Sequence, residues 1–437
     1  MVSKSLCIRR IFSATLAMTA IGAMTTRTNA QTVTPFFSSF ASGENPSFGT
    51  LLYDPTANAG SGALIGTTGY GGANGNGDVF SSTLTGHITT LYSFSALTGS
   101  LNGDGANPIG GVINYGGNYY GTTQNGGTGG FGDIYEYNTT SHSLTDLYNF
   151  TTSSNPMGEL AVDKNGVLFG TASNGGAFYN GYLFSYATGT STFSDLYDLG
   201  TGVSDGVSPQ AGVAVVNNTN GSTTIYGTTI SGGTGGSGQV YAYNTLTGYQ
   251  DVYDFGSIIN DGSGPTGGLV IDGTGNIFGT TNGGGAYSGG TVFEISNTDT
   301  YSQLYSVNDI GAGGTGTDGY NPVGTLVDMN GTLVGVNESG AAGYGDIFTL
   351  TPTYNPLLPY NYADIFSFNG GSTGGVPLTG VTALNSYAFA GTNVIGGDNA
   401  VGVLFVITPE PGSLSTMAMG TLAVFGIGFA RRRRLRR

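Results

Sequence analysis

Leu91-Tyr92-Ser93-Phe94 is the first of six related tetrads in the 437-residue chain. The others are Leu147-Tyr148-Asn149-Phe150, Leu196-Tyr197-Asp198-Leu199, Val252-Tyr253-Asp254-Phe255, Leu304-Tyr305-Ser306-Val307 and Ile365-Phe366-Ser367-Phe368. Each is a short apolar and aromatic run bounded by turn formers, which reads as a strand. A seventh relative, Phe36-Phe37-Ser38-Ser39-Phe40, stands apart, ahead of every other strand signal.

Three more strand signals accompany each tetrad, and these occur seven times. A marker recurs as Gly66-Thr67-Thr68, Gly121-Thr122-Thr123, Gly170-Thr171-Ala172, Gly227-Thr228-Thr229 and Gly279-Thr280-Thr281, with weaker copies at Gly335-Val336-Asn337 and Gly391-Thr392-Asn393. A glycine-rich stretch follows, then an apolar pair such as Val79-Phe80 or Ile134-Tyr135. Ahead of each marker come a proline (46, 108, 156, 209, 265, 322 or 377), glycine and a third apolar run. Asn165-Gly166, Asn220-Gly221 and Asn330-Gly331 suit tight hairpins between that run and the marker. Seven repeats with six trailing fourth strands predict a closed ring, in which Phe36–Phe40 completes the last unit. An open solenoid would need polar caps instead, and the coil of a β-helix is shorter than this period. The expected fold is all-β: a seven-bladed β-propeller of four-stranded blades over residues 31–408.

Composition agrees. Glycine supplies 81 residues without a Gly-X-Y period, which excludes collagen, and 50 Tyr and Phe exclude a disordered linker. Ten of the eleven bases lie in the first 30 or last 7 residues, so residues 31–408 hold only Lys164 against 25 acids. Nucleic-acid binding, which needs bases to neutralise phosphates, is excluded on that ground, as is docking of this region onto an anionic membrane. Cations, neutral glycans and protein surfaces remain as partners.

Both ends read as addresses. Lys4, Arg9 and Arg10, the apolar run 11–24 and Thr28-Asn29-Ala30 form a secretory signal peptide over residues 1–30, cleaved between Ala30 and Gln31 by the export (Sec) route. The alternative is an uncleaved anchor. Cys7, the single cysteine, leaves with the signal. At the other end Pro409-Glu410-Pro411 precedes an apolar stretch from Leu414 to Ala430, the minimum for a transmembrane helix. Arg431, Arg432, Arg433, Arg434, Arg436 and Arg437 follow and would hold that end in the cytoplasm. An ordinary tail anchor is the rival.

Two resemblances follow from these residues. Residues 409–437 resemble the PEP-CTERM sorting signal, which implies processing by an exosortase-type membrane enzyme in a Gram-negative bacterium that makes exopolysaccharide. The chain would then be anchored in the inner membrane only transiently, before reaching the cell surface or extracellular matrix. The order Gly-Thr-Thr, Gly-Gly, Gly-x-Val-Phe, Leu-Tyr-Ser-Phe over about residues 36–407 resembles the GloVer-type tandem repeats of bacterial surface proteins. That implies an extracellular repeat scaffold and no established activity.

Chemistry is sparse. His87 and His142 fall in turns between third and fourth strands, no G-x-S-x-G elbow occurs, and the G-x-G-x-x-G matches open no helix. No catalytic residue is assigned. Zinc lacks Cys and clustered His. Asp104-Gly105, Asp205-Gly206, Asp261-Gly262 and Asp318-Gly319 occupy one kind of link, from fourth strand to next first strand. With Asp78, Asp133 and Asp346 they are expected on one exposed acidic rim, either as plain turn formers or as weak calcium ligands. The expected role is a binding scaffold without a cofactor. The alternatives are an exopolysaccharide-binding module with exposed Tyr, or a polysaccharide lyase or hydrolase using His87 or His142.

Overall fold

In the computed structural model, residues 36–408 are described apart from 41–43, 47–48, 203, 309–316, 341–342, 354, 356–357 and 398. The signal segment, the sorting motif, the apolar stretch and the arginine cluster lie outside the described residues. Among the described residues no helix is long and apolar enough to cross a membrane.

The chain forms seven four-stranded antiparallel blades. Blade 1 uses Leu52–Asp54, Ala63–Tyr70, Asp78–Ser82 and Ile88–Ser93. Blades 2 to 6 occupy residues 113–149, 161–198, 214–254, 270–306 and 320–367 in the same order. Blade 7 uses Thr382–Ala383, Phe389–Asn393 and Val403–Ile407, and its fourth strand is Phe36–Ser39 from the start of the chain. The closing register pairs Phe36 with Val406 and Ser39 with Val403. The ring is closed as the repeat count requires. Of the three Asn-Gly turns, Asn330-Gly331 has both residues at positive φ, whereas at 165–166 and 220–221 only the glycine does.

The marker glycine has a steric cause. In every blade it pairs across the sheet with the third-strand aromatic: Gly66 with Phe80, Gly121 with Tyr135, Gly170 with Phe184, Gly227 with Tyr241, Gly279 with Phe293, Gly335 with Phe348 and Gly391 with Phe405. The ring lies over the glycine, and a Cβ there would stand 2.4–2.7 Å from the nearest ring atom. Where the preceding blade's tetrad ends in phenylalanine, that ring packs against this one, edge-on in three seams and tilted in the fourth. Centroids are 5.4 Å apart for Phe94 and Tyr135, 5.4 Å for Phe150 and Phe184, 5.2 Å for Phe255 and Phe293, and 5.3 Å for Phe368 and Phe405. Phe40 meets Phe80 at 5.1 Å, so the seam between blades 7 and 1 is built like the others.

Farther out, the tetrad tyrosine stacks on an aromatic of the next blade's fourth strand. Tyr148 and Phe193 are 3.8 Å apart, Tyr197 and Tyr249 4.0 Å, Tyr253 and Tyr301 3.7 Å, and Tyr305 and Tyr362 4.5 Å. Nearer the axis, Thr67 donates to the Gly110 carbonyl at 2.9 Å and Thr171 to that of Ala211 at 3.2 Å, each in the following blade. Marker, tetrad and proline loop are thus mainly devices for joining blade to blade.

Candidate ligand-binding face

The link entering a blade pairs with the loop between that blade's second and third strands. Gly206–Val207 pairs with Ser231–Gly232, Gly262–Ser263 with Gly283–Gly284, and Ala106 with Asn125. Links and these loops therefore share one face of the ring, and the first-to-second and third-to-fourth turns occupy the other. His87 and His142 are exposed turn residues on that other face. Lys164, the only base among the described residues, lies there too, in the turn before Val167–Ala172.

The four link aspartates do lie on the loop face, but they do not form an exposed rim. Asp104, Asp205 and Asp261 are buried and Asp318 is half-buried. Each takes a hydrogen bond from the tetrad tyrosine of the blade just left: Tyr92 to Asp104 at 2.6 Å, Tyr197 to Asp205 at 3.1 Å, Tyr253 to Asp261 at 2.9 Å and Tyr305 to Asp318 at 2.6 Å. Backbone N–H groups of Ser95, Thr201, Gly256 and Asn308 complete the four sites. The following glycine presses onto the blade being entered. A Cβ at Gly105 would stand 2.6 Å from the Asp133 carboxylate, and one at Gly319 2.3 Å from that of Asp346. Asp-Gly is thus a staple: aspartate holds the blade behind and glycine seats the blade ahead. Asp78, Asp133 and Asp346 are buried as well. Burial pushes the Asp133 carboxyl well above its usual range, with the charges of Asp146 and Asp104 adding to it against a hydrogen bond from Thr123. No group of three or more His, Cys, Asp or Glu among the described residues is placed to hold a metal ion.

At the axis lies a cavity of about 220 Å³ to which all seven blades contribute, through Thr50, Ile109, Glu159, Gln210, Asn282, Glu338 and Leu378. Glu159 occupies a position held by Thr50, Gly111, Gly212, Gly268, Thr325 and Gly380 in the other repeats. Its side chain passes Gly111, where a Cβ would stand 2.5 Å from Oε1, and accepts the backbone N–H of Thr50 two blades away. It lies deep in the molecule yet keeps some surface toward the cavity. Burial pushes its carboxyl up to about 7, against the hydrogen bond from Thr50. A second cavity, of about 210 Å³ on the opposite face, is lined by Asp272, Glu294 and Asp328. Asp272 is occupied there by the N–H groups of Thr274 and Asn276.

Around the axial cavity, the loop face carries most of the exposed large apolar side chains of the described residues. Tyr70, Phe178, Tyr179, Tyr287 and Tyr344 come from the second-to-third-strand region of four blades, and Leu101, Ile258 and Ile259 from links. Only Leu246, Leu358 and Tyr387 lie on the other face. Neither Glu159 nor these aromatics were singled out by the sequence reading. Aligning the repeats reveals the signal: an acid in a Gly/Thr column, and aromatics within glycine-rich loops.

Residues 19–224 match the family model of the Gloeobacter/Verrucomicrobia repeat, so that stretch carries the GloVer repeat. No curated protein matches the sequence. Among solved structures, an oligogalacturonate lyase from Vibrio parahaemolyticus aligns at 8% identity and a TM-score of 0.49, covering 85% of this chain and 91% of its own. A protein of unknown function from Dyadobacter fermentans aligns at 7% and 0.41, over 86% and 98%. A GH43 β-xylosidase/α-arabinofuranosidase from a compost microbial metagenome aligns at 12% and 0.30, over 58% and 89%. Likeness this distant carries nothing about activity to this chain.

Proposed function

We propose that this GloVer-repeat propeller is an exported scaffold that displays its loop face at the cell surface or in the extracellular matrix. The observation that supports this reading is the sorting of exposed aromatic and aliphatic side chains onto one face, around a cavity at the axis. Isolated exposed apolar residues are ordinary, whereas their gathering on one face marks an interaction surface. Delivery falls to the two ends: cleavage between Ala30 and Gln31, then processing near Pro409-Glu410-Pro411 by an exosortase-type enzyme while residues 414–430 hold the chain in the membrane. No resident cofactor is proposed. Calcium at Asp104, Asp205, Asp261 or Asp318 would have to displace the tyrosine and N–H donors those carboxylates already accept. Catalysis is not part of the proposal: His87 and His142, the residues of the enzyme alternative, are exposed turn residues on the face away from the axial cavity.

Intact mass spectrometry of surface material tests the delivery. The expected species begins at Gln31 and lacks residues 431–437. A surface pool that still carries the arginine cluster would overturn the sorting reading.

A further inference from the structure

One residue of the loop face is out of place for any structural purpose. Two positions before the glycine that leads into each third strand, all seven blades adopt a left-handed backbone. Glycine fills the position in four of them, as Gly75, Gly130, Gly236 and Gly343, with φ between 74° and 81°. The other three carry Tyr179 (φ 60°), Ser288 (φ 60°) and Ala400 (φ 58°). A Cβ on Gly75, Gly236 or Gly343 would meet nothing within 4 Å, and one on Gly130 would crowd Leu101 and Ser100 at 3.2 Å, so the fold does not call for a side chain here. A left-handed conformation costs stability in any residue with a Cβ, most of all in a bulky one, and such strain concentrates where a site uses it. Tyr179 meets that cost while 81% exposed, so packing does not repay it. Its neighbour Phe178 is exposed as well.

We propose that Tyr179 and Phe178 are the anchoring platform of a binding site for a neutral glycan, laid across the loop face toward the axial cavity. The proposal rests on the display reading above and names the ligand class. The chemistry of the face selects that class. Exposed rings offer flat apolar surfaces for the C–H faces of pyranose rings, on side chains with few rotatable bonds to freeze. Gln210, Asn282, Glu159 and Glu338 at the cavity offer donors and acceptors to sugar hydroxyls. No base stands on this face among the described residues, since Lys164 is on the other. An anionic polysaccharide therefore finds no counter-charge here, and the carboxylates repel it. Phe178 and Tyr179 share one glycine-rich loop and Tyr70, Tyr287 and Tyr344 stand on three others, so the aromatic surface of this face is divided among loops rather than forming the packed apolar centre that a protein partner buries.

The test is calorimetric titration of the full-length protein with cellohexaose, laminarihexaose, maltohexaose, mannohexaose and xylohexaose. Hexagalacturonate in chelator serves as the anionic control. At least one neutral hexaose is expected to bind and hexagalacturonate is not. Tyr179→Gly, which restores the residue four blades already carry, should weaken binding by about tenfold or more, the loss typical of an aromatic anchor. Its melting temperature should be unchanged or higher. Phe178→Ala should weaken binding in the same direction. Absence of binding by all five neutral hexaoses, preference for hexagalacturonate, undiminished binding by Tyr179→Gly, or a lowered melting temperature in that variant would each overturn the proposal. Surface location is read independently by mass spectrometry. A protein processed as expected that binds no neutral hexaose defeats the glycan assignment and leaves the display reading standing.

Discussion

Five of the seven marker aromatics are phenylalanine, and the two exceptions, Tyr135 and Tyr241, carry hydroxyls into fully buried positions. Among the described residues neither hydroxyl has a hydrogen-bond partner. A buried donor without a partner forfeits its hydration for nothing, at a cost of about 1–3 kcal/mol. Tyr135→Phe and Tyr241→Phe are therefore expected to stabilise the protein by about 1 kcal/mol each, read as a rise in melting temperature. The sites belong to blades 2 and 4 and share no partner, so the double variant should show the sum. A lower melting temperature in either variant would mean that the hydroxyl is satisfied. The glycine opposite works the other way. A Cβ at Gly279 would stand 2.5 Å from Phe293 and 2.9 Å from Leu269, which is overpacking against a side chain with nowhere to go.

The strand that closes the ring is the element on which the architecture depends. Phe36–Ser39 covers the edge of Val403–Ile407, and Phe40 seals the core shared by blades 7 and 1, with Leu51, Leu64, Phe80, Leu404 and Val406. Deleting residues 31–41 would bare that edge, which invites pairing with another chain, and would empty a phenylalanine site worth roughly 3–5 kcal/mol. A lowered melting temperature with higher oligomers on size-exclusion chromatography is the expected result. An unchanged monomer would refute closure by this strand. Phe40→Leu should be much milder, because Leu199 fills the same place at the end of blade 3. The ring was readable in the sequence because strand signals repeat with the period of the blade, and a missing copy can be counted. The loop face was readable only in part. Spacing puts Asp104 and its counterparts on one face, but it cannot tell that Tyr92, Tyr197, Tyr253 and Tyr305 reach back to bury them. Glu159 breaks a Gly/Thr column, and Tyr179 is the one bulky residue in a column otherwise filled by Gly, Ser or Ala, so each shows only when the repeats are laid over one another. The stacking partners Phe193, Tyr249, Tyr301 and Tyr362 lie four residues ahead of the tetrad aromatic. They join neighbouring blades, a contact that the pattern within a single repeat does not show.

Charge acts on the molecule as a whole. Burial raises the carboxyls of Asp78, Asp133, Asp146, Glu159, Asp195, Asp251 and Glu294, with Glu159 reaching about 7 and Asp195, beside Asp198, about 6. Among the described residues only Asp54 and Asp272 are lowered, because hydrogen bonds from Thr56 and Tyr119, and from Thr274 and Asn276, together outweigh their burial. A carboxyl whose folded value is raised binds its proton more tightly folded than unfolded. Its stabilising share is complete below the unfolded value, near 4 for these groups, and is lost as pH rises through the folded value. The two lowered groups act in the opposite sense, but are outnumbered. Stability should therefore fall between about pH 4 and about pH 7, and mutual repulsion among 25 acids and one base across residues 31–408 pushes the same way. The melting temperature is expected to be higher near pH 5 than near pH 8. The two causes separate by salt and by substitution. Added salt screens exposed charges and should recover part of the loss at pH 8 in every variant. Glu159→Gln keeps an acceptor for the Thr50 N–H and removes a buried ionisation, so at pH 8 it should melt above the parent in high salt as well as low. Near pH 5, where Glu159 is protonated in the folded chain and no buried charge has to be accommodated, the advantage should shrink. An advantage of equal size at both pH values would show that the side chain at the axis is ionised throughout, with the cavity solvating it.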